Sequence, residues 1–249
     1  MSPERGKWDG MWAIVRFNWP FYAVALGLGL TGIFAGSQPA VIETGTLLVF
    51  GSGYFLLGSL GVSHWVYDCS ELYRWSWLER ILKDTPTGNM LLCHSGFDEA
   101  SAALRVKFPS PQFRWRVLDH YDPAIMTEAS IRRARKLFPP TPGTEPANFG
   151  QWPVGSASMD VIFGLLAIHE LRTHAERAAW FAEARRCLAP GGRVVIAEHV
   201  RDAANLLAFG PGFLHFHSVT AWRKSWEAGG LTSDRHFRIT PFVRVFVLN

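Results

Sequence analysis

Two stretches near the N-terminus contain no Asp, Glu, Lys or Arg: residues 17–42 and residues 44–67. A helix needs about 20 apolar residues to cross a bilayer. Each stretch therefore predicts one span, the first near residues 20–35 with ragged ends and the second near residues 46–65. The link, Gly36-Ser37-Gln38-Pro39 to Gly45, is rich in turn formers and carries one charge, Glu43. The pattern is that of a helical hairpin with both ends on one side. A signal peptide has a single short apolar region and a small-residue cleavage site, which two spans of this length do not match. A hairpin buried in a soluble core is the remaining alternative.

Past residue 67 the periodicity changes. Residues 67–82 read as an amphipathic helix, either grazing a membrane surface through Tyr73, Trp75, Trp77 and Leu78 or packed on the following domain. Thr85-Pro86-Thr87-Gly88 interrupts the chain. An apolar run, Met90-Leu91-Leu92-Cys93, is followed by a turn at residues 94–98 and a helical pattern at 99–107. A second run, Trp115-Arg116-Val117-Leu118, ends on Asp119. Strand, turn, helix and a strand with a terminal acid form the opening βαβ unit of a nucleotide-type domain. In such units the cofactor lies on the first turn, and the acid takes a ribose hydroxyl.

Further on, residues 123–138 predict a helix with Arg132, Arg133, Arg135 and Lys136 on its solvated face. A Pro-rich loop at 139–143 precedes a buried strand at 159–165. A helix at 174–188 is stopped by Ala189-Pro190-Gly191-Gly192. A strand at 193–198, a helix at 218–228 and two short runs within 237–248 complete the series. Strands alternating with helices imply an α/β fold, a mostly parallel sheet with helices on both faces. The chain thus divides into a transmembrane hairpin at 1–67 and a larger domain at 68–249.

Charge orients the hairpin. Arg5, Lys7 and Arg16 precede the first span, Arg74, Arg80 and Lys83 follow the second, and the outer link has no positive charge. The positive-inside rule places both termini and the large domain in the cytoplasm, at an inner or cytoplasmic membrane. Trp12, Trp19, Trp65, Trp75 and Trp77 would form an aromatic belt. Gly27, Gly29, Gly32, Gly51, Gly53, Gly58 and Gly61 would let the helices pack closely on each other or on another membrane protein. A composition of 48% hydrophobic and 18% charged residues fits the bilayer as a partner. The formal charge of +4 suits an anionic membrane surface as well as a nucleic acid, but no nucleic-acid motif, P-loop or zinc cluster occurs, so no nucleic acid is expected. The cysteines, Cys69, Cys93 and Cys187, are far apart, which argues against a disulfide framework and for a reducing compartment.

Several segments together resemble the class I S-adenosylmethionine-dependent methyltransferases, in the branch that includes the ubiquinone and menaquinone enzymes. They are Val117-Leu118-Asp119, Trp152-Pro153-Val154, Ser158-Met159-Asp160-Val161-Ile162, Ala167-Ile168-His169-Glu170-Leu171, and Cys187-Leu188-Ala189-Pro190-Gly191-Gly192-Arg193-Val194-Val195-Ile196, with similar endings at 226–231 and 242–246. The resemblance implies a Rossmann-like methyltransferase fold over roughly residues 67–248. It also implies that S-adenosylmethionine would be held by Gly96, Asp119 and Asn148 (or Gln151), and that His169 would be a general base in an active enzyme.

The cofactor turn departs from the family pattern. Its acid falls on Leu92, and its three glycines fall on His94, Gly96 and Asp98. Only Gly96 is retained. Each lost charge-assisted contact is worth on the order of 1.5–3 kcal/mol, so two or three losses weaken binding roughly 10³-fold. The first expectation is therefore a membrane-anchored, non-catalytic domain with no cofactor, serving as a structural or assembly subunit among other membrane proteins, an energy-transducing complex being one setting. The second is an active methyltransferase acting on a lipid, quinone or other membrane-soluble acceptor. A third, weaker one is a pocket that takes another small molecule. His215-Phe216-His217 with His199 and Glu198 could suggest a metal, but loop histidines are the simpler reading, and no metal is expected. Cys93 and His94, adjacent on a strand, face opposite sides and make no nucleophile pair.

Overall fold

The computed structural model describes residues 6–83, 85, 88–109 and 111–249. Arg5, and Pro86 and Thr87 of the expected interruption, lie outside the described residues. Helix α1 covers Asp9–Gly36 and helix α2 covers Ile42–His64, joined through a 3-10 turn at Pro39–Val41. Both extend beyond the charge-free stretches. The first turn of α1 lacks backbone acceptors, as every helix start does, and the buried Asp68 supplies them. Its carboxylate accepts from Gly10 N at 2.7 Å and Met11 N at 3.0 Å, and His64 Nδ1 lies 3.0 Å from the same group.

Inside α1, Pro20 has no N–H and crowds the turn before it, and Asn18 leaves helical geometry at φ −116°, ψ 18°. The kink is stitched by side chains. Asn18 Nδ2 donates to Ile14 O at 3.2 Å, and Arg133 Nε donates to Phe17 O at 2.6 Å. The two helices touch backbone to backbone where Gly32 meets Gly45: a methyl group on Gly45 would stand 2.4 Å from Gly36 N. The outer faces are bare, with Phe34 74%, Leu47 74% and Leu57 78% exposed. Both helices are long and apolar enough to cross a membrane, and they are not the buried core of the domain.

Residues 67–82 are not one helix. A π turn at Trp65–Cys69 and a 3-10 turn at Leu72–Arg74 lead into α3, Ser76–Leu82. Trp75 breaks the path by taking a left-handed conformation, φ 59°. Trp75 and Trp77 are 4% and 1% exposed, and Trp77 Nε1 donates to Leu72 O at 3.0 Å. These two rings belong to the domain core and not to a belt at the headgroups, because the broken path turns them onto the sheet. Trp12, Trp19 and Trp65 remain exposed.

Strand β1, Asn89–His94, is followed by α4, Ser101–Lys107, and β2, Arg114–Asp119. The helix expected at 123–138 is confined to α5, Ala129–Leu137. An isolated turn follows Asp122, whose carboxylate and carbonyl take Ala124 N and Met126 N, and extended Glu128 (ψ 138°) keeps that turn from joining the helix. Next come β3, Thr144–Pro146, β4, Met159–Leu165, α6, His174–Cys187, and β5, Leu188–His199. Thr173 and Glu176 form a reciprocal capping box at the start of α6. Helix α7, Ala203–Phe209, and a 3-10 segment at Gly210–His215 occupy a region with no expected element. Helix α8, Val219–Ala228, and strands β6, Ser233–Thr240, and β7, Val243–Leu248, close the chain.

The sheet order is β3-β2-β1-β4-β5-β7-β6. Strands β1 to β5 run parallel and β7 runs antiparallel to β5 and β6. This is a Rossmann-like α/β sheet. Leu91, Cys93, Ile162, Trp180 and Trp222 fill one face, and Trp77, Leu92, Val117 and Phe163 the other. Ala13 and Phe17 of α1 belong to the first of these clusters, so the base of the hairpin is continuous with the domain core.

Candidate functional site

Parallel strands deliver their C-terminal ends to one edge, where ligands bind in such sheets. Here His94 and Asp119 are register partners at the ends of β1 and β2. The turn after β1 passes through Gly96 at φ +96°, a conformation that only glycine enters without strain.

Beside Gly96 the space is taken by the chain itself, while Ser95 and Phe97 of the same turn line an open cavity. A methyl group on Gly96 would lie 2.7 Å from Cδ2 of Tyr121. Asp119 is 5% exposed and fully engaged: Oδ2 takes Arg135 Nη1 at 2.6 Å, Oδ1 takes Tyr121 N at 3.0 Å, and His94 Nδ1 stands 3.5 Å from Oδ1. The Arg135 guanidinium in turn lies 4.4 Å from the centre of the Tyr121 ring. Arg135 was expected on a solvated face, as was Arg133, which instead holds Phe17; α5 packs against α1, and both half-buried guanidiniums find partners within the chain. Leu92, at the position of the family's acid, faces the core beside Trp77.

Asp98 does not project a free charge at the turn. Its Oδ1 accepts from Ser101 N at 2.9 Å and Ala100 N at 3.2 Å, and Oδ2 takes Thr141 Oγ1 at 3.1 Å as well as the Ser101 hydroxyl. From two positions ahead of the Ala100 N-cap of α4, it holds the turn that leads into that helix through Ala100 N and Ser101 N. Burial works against its charge, but the Ser101 and Thr141 hydrogen bonds and the nearby His94 hold its pKa below the usual carboxylate range. Asn148 is exposed, and its Oδ1 is taken by Gly150 N at 2.8 Å. An S-adenosyl nucleoside entering this turn would meet the Arg135–Asp119 ion pair at its ribose acceptor and the Tyr121 ring beside Gly96.

His120, next to Asp119, is 2% exposed. Its Nδ1 meets Ala147 O at 2.9 Å and its ring stacks on Trp152 at 5.4 Å. Burial drives its pKa down to about 4, against the partial support of the Ala147 carbonyl. An unfolded histidine titrates near 6.5, so between those values the unfolded chain binds the extra proton. Stability is complete above the unfolded pKa and falls as pH drops towards about 4. His120→Asn is expected to reduce the stability lost between about pH 7 and pH 5 by about 2 kcal/mol, read from denaturant midpoints at both pH values. An unchanged pH slope in the variant would disprove the assignment.

A second constellation lies beyond the ends of β4 and β5. A cavity of about 910 Å³ opens between the base of the hairpin and the domain. Phe17, Phe21, Phe55, Phe209 and Leu214 give it apolar walls, while Glu128, His169, Glu170, Arg172 and His215 give it a polar floor. His169 lies in a 3-10 turn, Ile168–Glu170, directly after β4. Its Nδ1 is 2.7 Å from Oε2 of Glu198. Oε1 of that fully buried Glu198 accepts the backbone N–H groups of Ala167, Ile168 and His169 at 3.0, 2.8 and 3.3 Å. Burial disfavours the charged His169 ring, but the Glu198 carboxylate outweighs it and raises the pKa to about 9. An imidazole in that state donates a proton and does not act as a base at neutral pH.

The other histidines separate. His215 Nδ1 pairs with Glu128 Oε1 at 2.9 Å. His217 Nε2 meets Arg177 Nη1 at 3.1 Å and the carbonyls of His169 and Leu171. His199 Nε2 meets the Tyr67 hydroxyl at 2.8 Å. Residues 215–217 are not a strand, and the grouping of His215, His217, His199 and Glu198 that was set aside for loop histidines does not form. The structure brings His169, Glu170 and His215 together instead. Glu128, Arg135 and Tyr121 had no role assigned from sequence. An acid just ahead of a helix start marks Glu128, but its meeting with His215, 87 positions away, leaves no local signal.

Residues 123–196 match the model of a methyltransferase domain family. The match spans α5 to β5 and includes His169 and Glu170; Gly96 and Asp119 precede it. No curated protein matches the chain at the sequence level. Among solved structures, a SAM-dependent methyltransferase from Aquifex aeolicus is similar at 17% identity and TM-score 0.49, covering 68% of this chain and 87% of that one. A SAM-dependent methyltransferase from Methanosarcina mazei is similar at 14% identity and TM-score 0.48, covering 68% and 95%. The CcbJ methyltransferase of Streptomyces caelestis is similar at 14% identity and TM-score 0.47, covering 68% and 86%.

Proposed function

We propose that this chain is a membrane-anchored protein whose methyltransferase-like domain does not use S-adenosylmethionine and serves as a structural or assembly subunit of a larger membrane complex. The observation that carries this reading is the closure of the cofactor turn by the chain's own side chains, with Arg135 on Asp119 and Tyr121 over Gly96. A nucleoside would have to break an ion pair whose carboxylate is 4% exposed and displace a ring. The bilayer as partner is supported by the exposed apolar faces of α1 and α2. Their glycines add to this, since Gly27, Gly51, Gly53, Gly58 and Gly61 have open space around them, which allows a neighbouring helix to approach closely. The flanking positive charges favour a cytoplasmic domain. Energy-transducing complexes are one setting in which such a subunit would sit.

Calorimetric titration of the full chain, in detergent, with S-adenosylmethionine and S-adenosylhomocysteine tests the reading. No saturable heat is expected at ligand concentrations up to about 1 mM, a limit near −4 kcal/mol. Micromolar binding would overturn it.

That same result would favour the second reading, a methyltransferase acting on a lipid, quinone or other membrane-soluble acceptor. The observation on its side is the apolar-walled cavity at the base of the hairpin, with His169 on its floor. Pockets of this size, with apolar walls and a few convergent polar groups, suit small-molecule ligands.

A further inference from the structure

We propose that His169, Glu170 and His215 bind a divalent first-row transition-metal ion on the floor of the cavity. The three side chains offer two imidazole nitrogens and a carboxylate oxygen, and these atoms all lie within 4.8 Å of one another. His169 Nε2 is 3.8 Å and His215 Nε2 is 3.7 Å from the same atom, Oε1 of Glu170. Both distances exceed hydrogen-bond reach, so neither nitrogen is satisfied by that carboxylate. Ligands about 2.1 Å from a shared ion stand about 3 to 3.5 Å apart. The cluster is therefore open by roughly the amount that a rotation of the Glu170 carboxylate and a swing of the His215 ring would close.

The outer nitrogens make the stronger case. A metal-bound histidine usually presents its other ring nitrogen to a carboxylate, which fixes the tautomer and aims the lone pair. Both histidines have that partner: His169 Nδ1 is 2.7 Å from Glu198, and His215 Nδ1 is 2.9 Å from Glu128. The Nε2 atoms are thereby aimed inward, with ring centres 5.0 Å apart and planes at 77°. The charges also balance. Glu128, Glu170 and Glu198 surround the cluster with Arg172, whose guanidinium lies 3.5 Å from His215 Nδ1, while Glu99 and Arg133, which also line the cavity, offset each other. The ion must displace the proton that His169 otherwise carries; with both imidazoles then neutral, one divalent ion cancels the remainder.

Two imidazoles and one carboxylate select ions such as Zn²⁺, Fe²⁺ or Co²⁺ over Mg²⁺ or Ca²⁺, which prefer all-oxygen sites. Three protein ligands leave at least one position facing the cavity, unlike the closed four-ligand sites that serve only structure. The ion would tie the turn after β4 to the 3-10 segment at Gly210–His215. None of its ligands touches Gly96 or Asp119, so this proposal and the reading of the cofactor turn fail independently.

The test uses the full chain in detergent, with any affinity tag removed, stripped with EDTA and titrated with Co²⁺. Visible d–d absorption reports the site, and competition with Zn²⁺ gives the affinity. One equivalent is expected to bind at micromolar or lower Kd. His215→Ala and Glu170→Gln should each weaken binding at least 10-fold, and Glu198→Gln about 10- to 100-fold. His236→Ala, at an exposed histidine on β6, should leave it unchanged. In the unmutated chain, Zn²⁺ should also protect His215 from diethylpyrocarbonate, a readout that does not depend on how any variant folds. Absence of a saturable cobalt signal at about 1 mM, titrations of His215→Ala and Glu170→Gln that overlay the parent, or no zinc protection of His215 would each overturn the proposal.

Discussion

Glu198→Ala is expected to destabilise the domain by about 3–5 kcal/mol, the range for removing one partner of a buried, hydrogen-bonded charge pair. No atom of Glu198 reaches solvent. Its two oxygens hold three consecutive backbone N–H groups and the His169 ring. Truncation strands four donors at once in a turn that already contains Leu166 at φ 52°, and a buried donor left unsatisfied costs about 1–3 kcal/mol. Glu198→Gln preserves the shape and one acceptor oxygen, so its loss should be about half as large. Thermal unfolding of the two variants checks this, with a fall on the order of 10 °C expected for alanine. A midpoint within about 2 °C of the parent would show that the turn is held by something else.

The second large effect concerns the joint between hairpin and domain. Phe17 is 6% exposed, although α1 is mostly bare along its length. Its ring meets Phe97 edge-on at 5.0 Å and Phe138 at 6.0 Å, and those two rings stand 5.2 Å apart. Phe17→Ala removes the one ring of this trio that α1 supplies and should cost about 3–5 kcal/mol of docking free energy. The loss should show as faster hydrogen exchange in α1 up to Pro20 and in α5, with the far strands β6 and β7 unaffected. Phe21→Ala, four residues on and 66% exposed, should change neither in detergent. Equal behaviour of the two variants would mean that the base of the hairpin is not anchored through Phe17.

Much of the architecture could be read from periodicity alone. The runs at 90–93, 115–118, 159–165 and 193–198 are mainly apolar rather than alternating, as strands of a covered parallel sheet are. The two charge-free stretches gave both long helices. What escaped was set by contacts distant in sequence. Trp75 and Trp77 looked like membrane-surface residues because tryptophan favours both an interface and a core; a left-handed residue between two short turns decided for the core. The helix at 123–138 was overextended because an isolated turn at Asp122 has the same local pattern as a helix start. Asp98 read only as a missing glycine, whereas it holds the turn into α4 by accepting from Ala100 N and Ser101 N. In the candidate site, the departures at Leu92, His94 and Asp98 were visible as missing glycines and a missing acid. That Arg135 and Tyr121 fill the space was not, since nothing local joins them to Gly96. The meeting of His169 with His215 depends on the path of residues 210–215, a Gly- and Pro-containing segment without hydrophobic periodicity.

The cap on α1 has a consequence for how the protein is made. The helix is synthesised first, but the carboxylate that completes its amino end comes from Asp68, 58 positions after Gly10. The aromatic socket for Phe17 and the guanidinium that grips its carbonyl come later still, at Phe97, Phe138 and Arg133. A nascent hairpin can therefore be capped as soon as residue 68 is made, but it stays unsocketed until translation has passed residue 138.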